Sequence, residues 1–176
     1  MLFRSSDGDL ADGAWRTAAA TPLAIRPDGS RDEQSPAKLL ALAGDDGLLL
    51  ATDVRLVVGA EGVLEVALQP PDDTHPVVYR AYPDGRWESV ADSGLTPLRR
   101  AMAAQGVRHG ARCAAGRWTA EFQIPWTALG GRPASGASLG FNASVTGVAP
   151  DGTARLWRAT GAPFWRTDRA GALVLP

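Results

Sequence analysis

The chain has 176 residues, of which 20 are Gly and 13 are Pro, so about a fifth of it favours turns against roughly 12% in average usage, which argues against a helix bundle. With 45% apolar and 21% charged residues it can bury one sizeable core, so neither a disordered chain nor a scaffold that depends on disulfides fits. The formal net charge is −1, and no window approaches the roughly 18 apolar residues of a membrane span, so a membrane partner is not expected.

Lys38 is the only lysine, and the arginines are scattered among the acids without forming a stripe that could track a phosphate backbone. Nucleic acid is therefore not an expected partner. Cys113 stands alone, which removes an intramolecular disulfide and a cysteine-based zinc site. The opening residues carry no apolar run and no small-residue cleavage site, so no secretory signal is visible on the chain as given. That fits an interior protein, or a processed form of an extracellular or periplasmic one.

In chain order, the sequence opens on an acidic cluster, Asp7, Asp9 and Asp12, followed by Trp15. Short runs with period-two alternation then predict strands over 37–43, 48–57, 63–69, 77–82 and 86–90. Residues 96–105 read as a short surface helix, because Pro97 follows a capping-type Thr96 and Leu98 and Met102 stand four apart. Further strands are predicted over 117–124, 139–145, 154–158 and 172–175. The clearest is 117–124, where Trp118, Ala120, Phe122 and Ile124 share one face and Arg117, Thr119, Glu121 and Gln123 the other. Pro125 is expected to end its ladder, having no N–H to donate. Asp-Gly turn signals lie at 45–47, 83–85 and 150–152. The expected architecture is a single all-β domain over residues 1–176. It is an antiparallel β-sandwich of two sheets, jelly-roll or immunoglobulin-like, with at most one short helix, and a monomer.

Several motifs carry less than they promise. Gly136 to Gly140 matches the G-x-S-x-G nucleophile elbow around Ser138, but the serine leads into a strand, and both histidines, His75 and His109, precede it. The histidines lack zinc-protease spacing and read as exposed loop residues. Asp7, Asp9 and Asp12 could present carboxylates to a structural Ca²⁺, although Ala11 stands where a third ligand is needed, and a solvated acidic turn is the simpler reading. Asn142-Ala143-Ser144 matches a glycosylation sequon inside a predicted strand, where an acceptor is not expected. No nucleophile and base share a spacing that defines a mechanism, so an enzyme is not expected.

The six tryptophans say more. Trp15, Trp118 and Trp126 follow the apolar faces of their segments and are expected in the core. Trp87, Trp157 and Trp165 sit among arginines and acids, the setting in which an aromatic plane can stack on a sugar ring while charged and amide groups meet its hydroxyls. If 63–69 and 77–82 form a hairpin across the 70–76 loop, with 69 opposite 76, Glu65 lies directly opposite Arg80 and both point away from the core. A plain surface ion pair is one reading. The other is a polar fork for vicinal hydroxyls, with donors from Arg80 and acceptors from Glu65.

Together the segments resemble the family 9 carbohydrate-binding modules, related to DOMON-like sandwiches. The likeness lies in DGDLADGAW (7–15), DDGLLLATDV (45–54), LEVALQP (64–70), WTAEFQIPWTALG (118–130), LGFNASV (139–145) and WRTDRAGALVL (165–175). The resemblance implies a sandwich that binds saccharide without turning it over and can carry structural Ca²⁺. It implies Trp165 as a clamp residue, Glu65 and Arg80 as hydroxyl partners, and Ser144 at the place of a polar amide, with Asn142 nearby. The family's first clamp tryptophan has no counterpart in 59–63, so Trp87 or Tyr82 would have to replace it. Two alternatives remain: a haem-binding relative with Met102, His75 or His109 as axial ligand, and an interaction module whose sugar site has decayed.

Overall fold

The computed structural model describes residues 6–56, 61–90, 93–161 and 163–175. The strands are β1 (Ala19–Pro22), β2 (Ala37–Ala43), β3 (Gly47–Arg55), β4 (Val63–Gln69), β5 (Val77–Ala81), β6 (Trp87–Val90), β7 (Arg108–Ala114), β8 (Arg117–Pro125), β9 (Ser138–Thr146), β10 (Arg155–Leu156) and β11 (Gly171–Val174), with one α-helix, α1 (Pro97–Ala104), between β6 and β7. They form two antiparallel sheets. The first runs β1-β2-β3-β8-β7 and the second β10-β9-β4-β5-β6, with β11 also paired to β9. The protein is thus an all-β sandwich with one short helix, as the alternation predicts.

Alternation decides what fills the space between the sheets. Leu48, Leu50 and Val54 of β3 and Trp118, Ala120, Phe122 and Ile124 of β8 meet Leu64, Val66 and Leu68 of β4, Tyr79 of β5 and Leu139, Phe141, Ala143 and Val145 of β9. Each fully buried Leu, Val, Ile or Phe among them contributes about 1.5–3 kcal/mol of transfer free energy. Trp126 joins the same core from a 3-10 turn (Trp126–Leu129) that follows Pro125, its indole N–H bonded to Gly44 O at 3.0 Å.

Two strands that alternation does not predict, β1 and β7, are the two edges of the first sheet. An edge strand buries little, so its sequence need not alternate, and β7 reads RHGARCA with mostly exposed or half-buried residues. The helix is capped as predicted: Thr96 accepts from Arg99 N at 3.2 Å, and Pro97 stands at its start. Its apolar pair nevertheless faces water, Leu98 being 73% and Met102 44% exposed, and Ala103 makes the buried contact. Tyr79 donates to Ala103 O at 2.8 Å, and Arg99 reaches Asp73 at 2.8 Å and Ala128 O at 2.9 Å, which pins the helix over one end of the sandwich.

Each sheet has an outer face, and a segment without regular structure covers part of each. Residues 6–18 lie over the first sheet, where Trp15, Leu40 and Ala51 form a small separate cluster with Leu10, Ala18 and Leu49. Trp15 is therefore buried, as expected, but outside the main core. Thr119 and Glu121, on the polar side of β8, are buried by this segment rather than solvated. Thr119 donates to Gly8 O at 2.6 Å. Glu121 accepts from Gly8 N at 2.8 Å, from Asp7 N at 3.2 Å and from the indole N–H of Trp15. So close an approach requires two glycines. A side chain at Gly110 would put Cβ 2.1 Å from Ser6 O, and Gly8 has φ of +78° with the Arg112 backbone 2.7 Å from the Cβ position.

Candidate functional site

The outer face of the second sheet carries the hairpin pair that the sequence suggests. β4 and β5 pair in the expected register, with Glu65 opposite Arg80 and Leu68 opposite Val77. Carrying that register across the sheet gives two parallel rows on the outer face. One is polar, Glu88–Arg80–Glu65–Ser144, one residue from each of β6, β5, β4 and β9. The next, two residues along each strand and so about 7 Å away, is Val90–Val78–Ala67–Asn142.

In the polar row, Arg80 donates to Glu65 Oε1 from Nε at 3.0 Å and from Nη2 at 2.7 Å, and from Nη1 to Glu88 Oε1 at 3.3 Å. Ser144 donates to Glu65 Oε2 at 3.4 Å, and Tyr82 donates to Glu88 at 2.8 Å. The side chains of Glu65 and Arg80 keep 15% and 25% of their surface in water. The pair is therefore shielded enough to be strong and still reachable. Burial works against the charge on Arg80, but the hydrogen bonds and charge of Glu65 outweigh it and hold the guanidinium above the ordinary arginine range. Burial and the neighbouring Glu88 push the Tyr82 phenol up, so it serves as a hydroxyl.

The apolar row is roofed. Ala67, Val78 and Val90 form a cluster against which Phe164 and Trp165 pack, the two rings edge to face at 5.6 Å. These rings arrive because β10 and β11 share one edge of β9, and the intervening chain swings out over the sheet. Asn142 fixes the position of that chain. Its Nδ2 donates to Arg158 O at 3.1 Å and to Phe164 O at 2.8 Å, and its Oδ1 accepts from Arg158 N at 3.2 Å and from Ala143 N at 3.0 Å. Thr167 donates to Gln69 on the far side of Trp165. Gly140 makes room there, since its Cβ would stand 3.1 Å from Thr167. Trp165 is half-buried and is held between two anchors over the apolar row.

Three expected contact residues take other roles. Trp87 pairs with Ala81, one position out of phase with the Arg80–Glu88 pair, so it points between the sheets. There it meets Phe122 edge to face at 6.1 Å and Tyr79 at 6.4 Å. It cannot replace a second clamp on the outer face. Trp157 packs on the core against Phe141 at 4.9 Å, and Gly171 leaves it space, with the Cβ position only 2.7 Å from the indole. Asn142 is fully buried and all its polar atoms serve the fold, so its amide is a tether rather than a ligand contact. Part of the 59–63 stretch, residues 59 and 60, lies outside the described residues. Gly62 there lies against Trp118 and Val148, each 3.1 Å from its Cβ position.

The acidic opening is not gathered into a cation site. Asp9 accepts from Ala11 N at 3.0 Å and pairs with Arg112 at 3.1 Å, Asp7 accepts from Asp9 N at 2.9 Å, and among the described residues no three His, Cys, Asp or Glu side chains group to hold a metal. The three candidate axial ligands lie on separate elements. His109 is not an exposed loop residue: it lies half-buried in β7, its ring tilted against Phe122 with centroids 4.7 Å apart, and burial lowers its pKa. His75 packs against Gly94, and Met102 faces outward on α1. Two contributors escaped the sequence reading. Phe164 carried no signal, because it gains meaning only from the face it covers, whereas Glu88 could have been found by extending the hairpin register one strand further.

The sequence matches no family model and no curated protein. Among solved structures, the fold is similar to that of a protein from Bacteroides uniformis described as a putative carbohydrate-binding protein. It aligns over 100% of this chain and 95% of that one, with a TM-score of 0.67 and 15% identity. The two share a fold.

Proposed function

We propose that the protein binds carbohydrate without transforming it, on the outer face of the second sheet. A sugar ring stacks on Trp165, and its hydroxyls bond to Arg80 and Glu65, while Ser144, expected as a contact but buried, orients the Glu65 carboxylate instead. The observation that carries this reading is the register: it sets a charged donor–acceptor fork one row from an aromatic wall whose position is fixed by Asn142 and Thr167. Arg80 offers N–H donors in fixed directions and Glu65 offers only acceptors, which suits adjacent hydroxyls that do both. The fold shared with the Bacteroides protein supports the reading, as does the resemblance to family 9 carbohydrate-binding modules. With Trp87 turned inward and the Tyr82 ring tied to Glu88 and covered by Arg86, the wall is one-sided, and the expected affinity is modest because each hydroxyl exchanges water for protein partners at a net gain of about 1 kcal/mol.

Calorimetry with mono- and oligosaccharides tests this. Saturable binding is expected, weakened about tenfold by Trp165→Ala, the factor that about 1.4 kcal/mol of stacking carries. Absence of heat with every glucan and xylan fragment, from a protein whose Trp165→Ala variant folds normally, overturns it.

A further inference from the structure

A cavity of about 420 Å³ lies on the opposite side of the molecule from the proposed sugar site, between residues 12–17 of the covering segment, the β2–β3 turn and β8. Its volume is within the range of about 300–1,000 Å³ common to small-molecule sites. Trp15 and Leu42 supply apolar wall, Glu121 is buried at its floor, and Asp45 and Asp46 stand exposed at its rim, with Asp12 half-buried between. No Lys, Arg or His lines it. Four carboxylates therefore face one apolar hollow in a chain whose formal net charge is only −1.

The carboxylates have distinct duties. Glu121 is committed to Asp7 N, Gly8 N and the Trp15 indole, so it holds the wall in place. Asp45 is met from outside the cavity by Arg132 at 3.5 Å, a loose exposed pair. Asp12 and Asp46 remain to meet a ligand. A hollow of this kind favours a charge opposite to its rim joined to an apolar body, and disfavours anions by the same field.

From the cavity and its charge we infer that this is a second binding site, for a small organic amine bearing an apolar body. The ammonium bonds Asp12 and Asp46, and the body lies against Trp15 and Leu42. Among the described residues these carboxylates do not group closely enough to hold a metal ion, which leaves them to single hydrogen bonds with an ammonium.

Benzylamine, charged at pH 7, and its neutral counterpart benzyl alcohol test the inference on the full chain, by calorimetry and by the NMR resonance of the Trp15 indole N–H. Saturable binding of benzylamine is expected to shift that resonance and to exceed the affinity of benzyl alcohol by about five- to tenfold, with most of the difference lost in high salt. Asp46→Asn, at an exposed position, is expected to weaken benzylamine about threefold. Leu42→Trp, which fills the hollow, is expected to abolish binding. Equal affinity for amine and alcohol, an Asp46→Asn protein that binds as tightly as the parent, or no shift of the Trp15 resonance at saturation would each overturn it. Saccharide titrations, which read the other sheet, are unaffected in every case.

Discussion

On the first sheet the covering segment hangs by its backbone amides on one buried carboxylate, Glu121, whereas on the second sheet it hangs mainly by its carbonyls on one neutral amide, Asn142. The two devices leave different surfaces behind. Glu121 spends its charge on three N–H donors beneath the segment, and the aspartates beside it line a cavity without a cationic side chain, while Asp53 pairs with Lys38 and Arg117 elsewhere on that face. Asn142 spends no charge, so the charged groups of its face, Arg80 and Glu65, lie one row away and bond mainly to each other. A neutral tether therefore leaves an ordered donor–acceptor fork beside the roof, and a charged tether leaves a one-signed hollow.

The largest test breaks the neutral tether. Asn142→Ala orphans two carbonyls and two amide N–H groups, and the expected loss is about 3 kcal/mol, a fall in melting temperature of about 6–12 °C. Limited proteolysis should then cut within 157–166 while 6–18 stays protected. Cleavage at both segments would show that the two coverings are one cooperative unit.

Breaking the charged tether is expected to cost less. Glu121→Gln retains one acceptor oxygen but turns an N–H₂ towards either Gly8 N or the Trp15 indole, for a loss of about 2 kcal/mol. The comparison is sharpened by pH. Burial raises the pKa of Glu121, with a further push from Asp7. The folded state therefore binds this proton more readily than the unfolded chain. The carboxyl's contribution is greatest below its unfolded pKa and falls as pH rises through its raised folded value. The melting-temperature advantage of the parent over Glu121→Gln should shrink from pH 4 to pH 7. An advantage that grows over that range contradicts the assignment.

A double-mutant cycle on Glu65→Gln and Arg80→Met should return a coupling of about 1 kcal/mol, above the exposed-pair median because the two are partly shielded. A coupling near zero would mean that the fork is loose. The smallest effect is expected from Thr167→Val, about 1 kcal/mol or less from the lost bond to Gln69, with sugar affinity falling by a larger factor than stability as Trp165 loses one of its two anchors.

Much of this was legible without coordinates, and for a definite reason. A strand's side chains alternate with period two, so the apolar faces of 37–43, 63–69 and 117–124 predicted both the elements and the core, and hairpin symmetry predicted the Glu65–Arg80 contact. The same reasoning failed at β1 and β7, where edge strands bury too little for alternation to be required. It failed also for Trp87 and Trp157. Neighbouring charges in the sequence say nothing about which side of a sheet a ring lies on, and a polar face can be covered as readily as solvated.

The sequence by itself determined every strand but β1 and β7, the register of the β4–β5 hairpin and the sign of each charge, because these depend on local spacing and short-range turns. Only the tertiary structure decided which polar faces are roofed, that Asn142 is a tether, and that Trp165 packs on the outer face while Trp87 points between the sheets. Those outcomes depend on where two irregular segments, 6–18 and 157–170, come to rest across surfaces remote from them in the chain, and no local pattern encodes that contact.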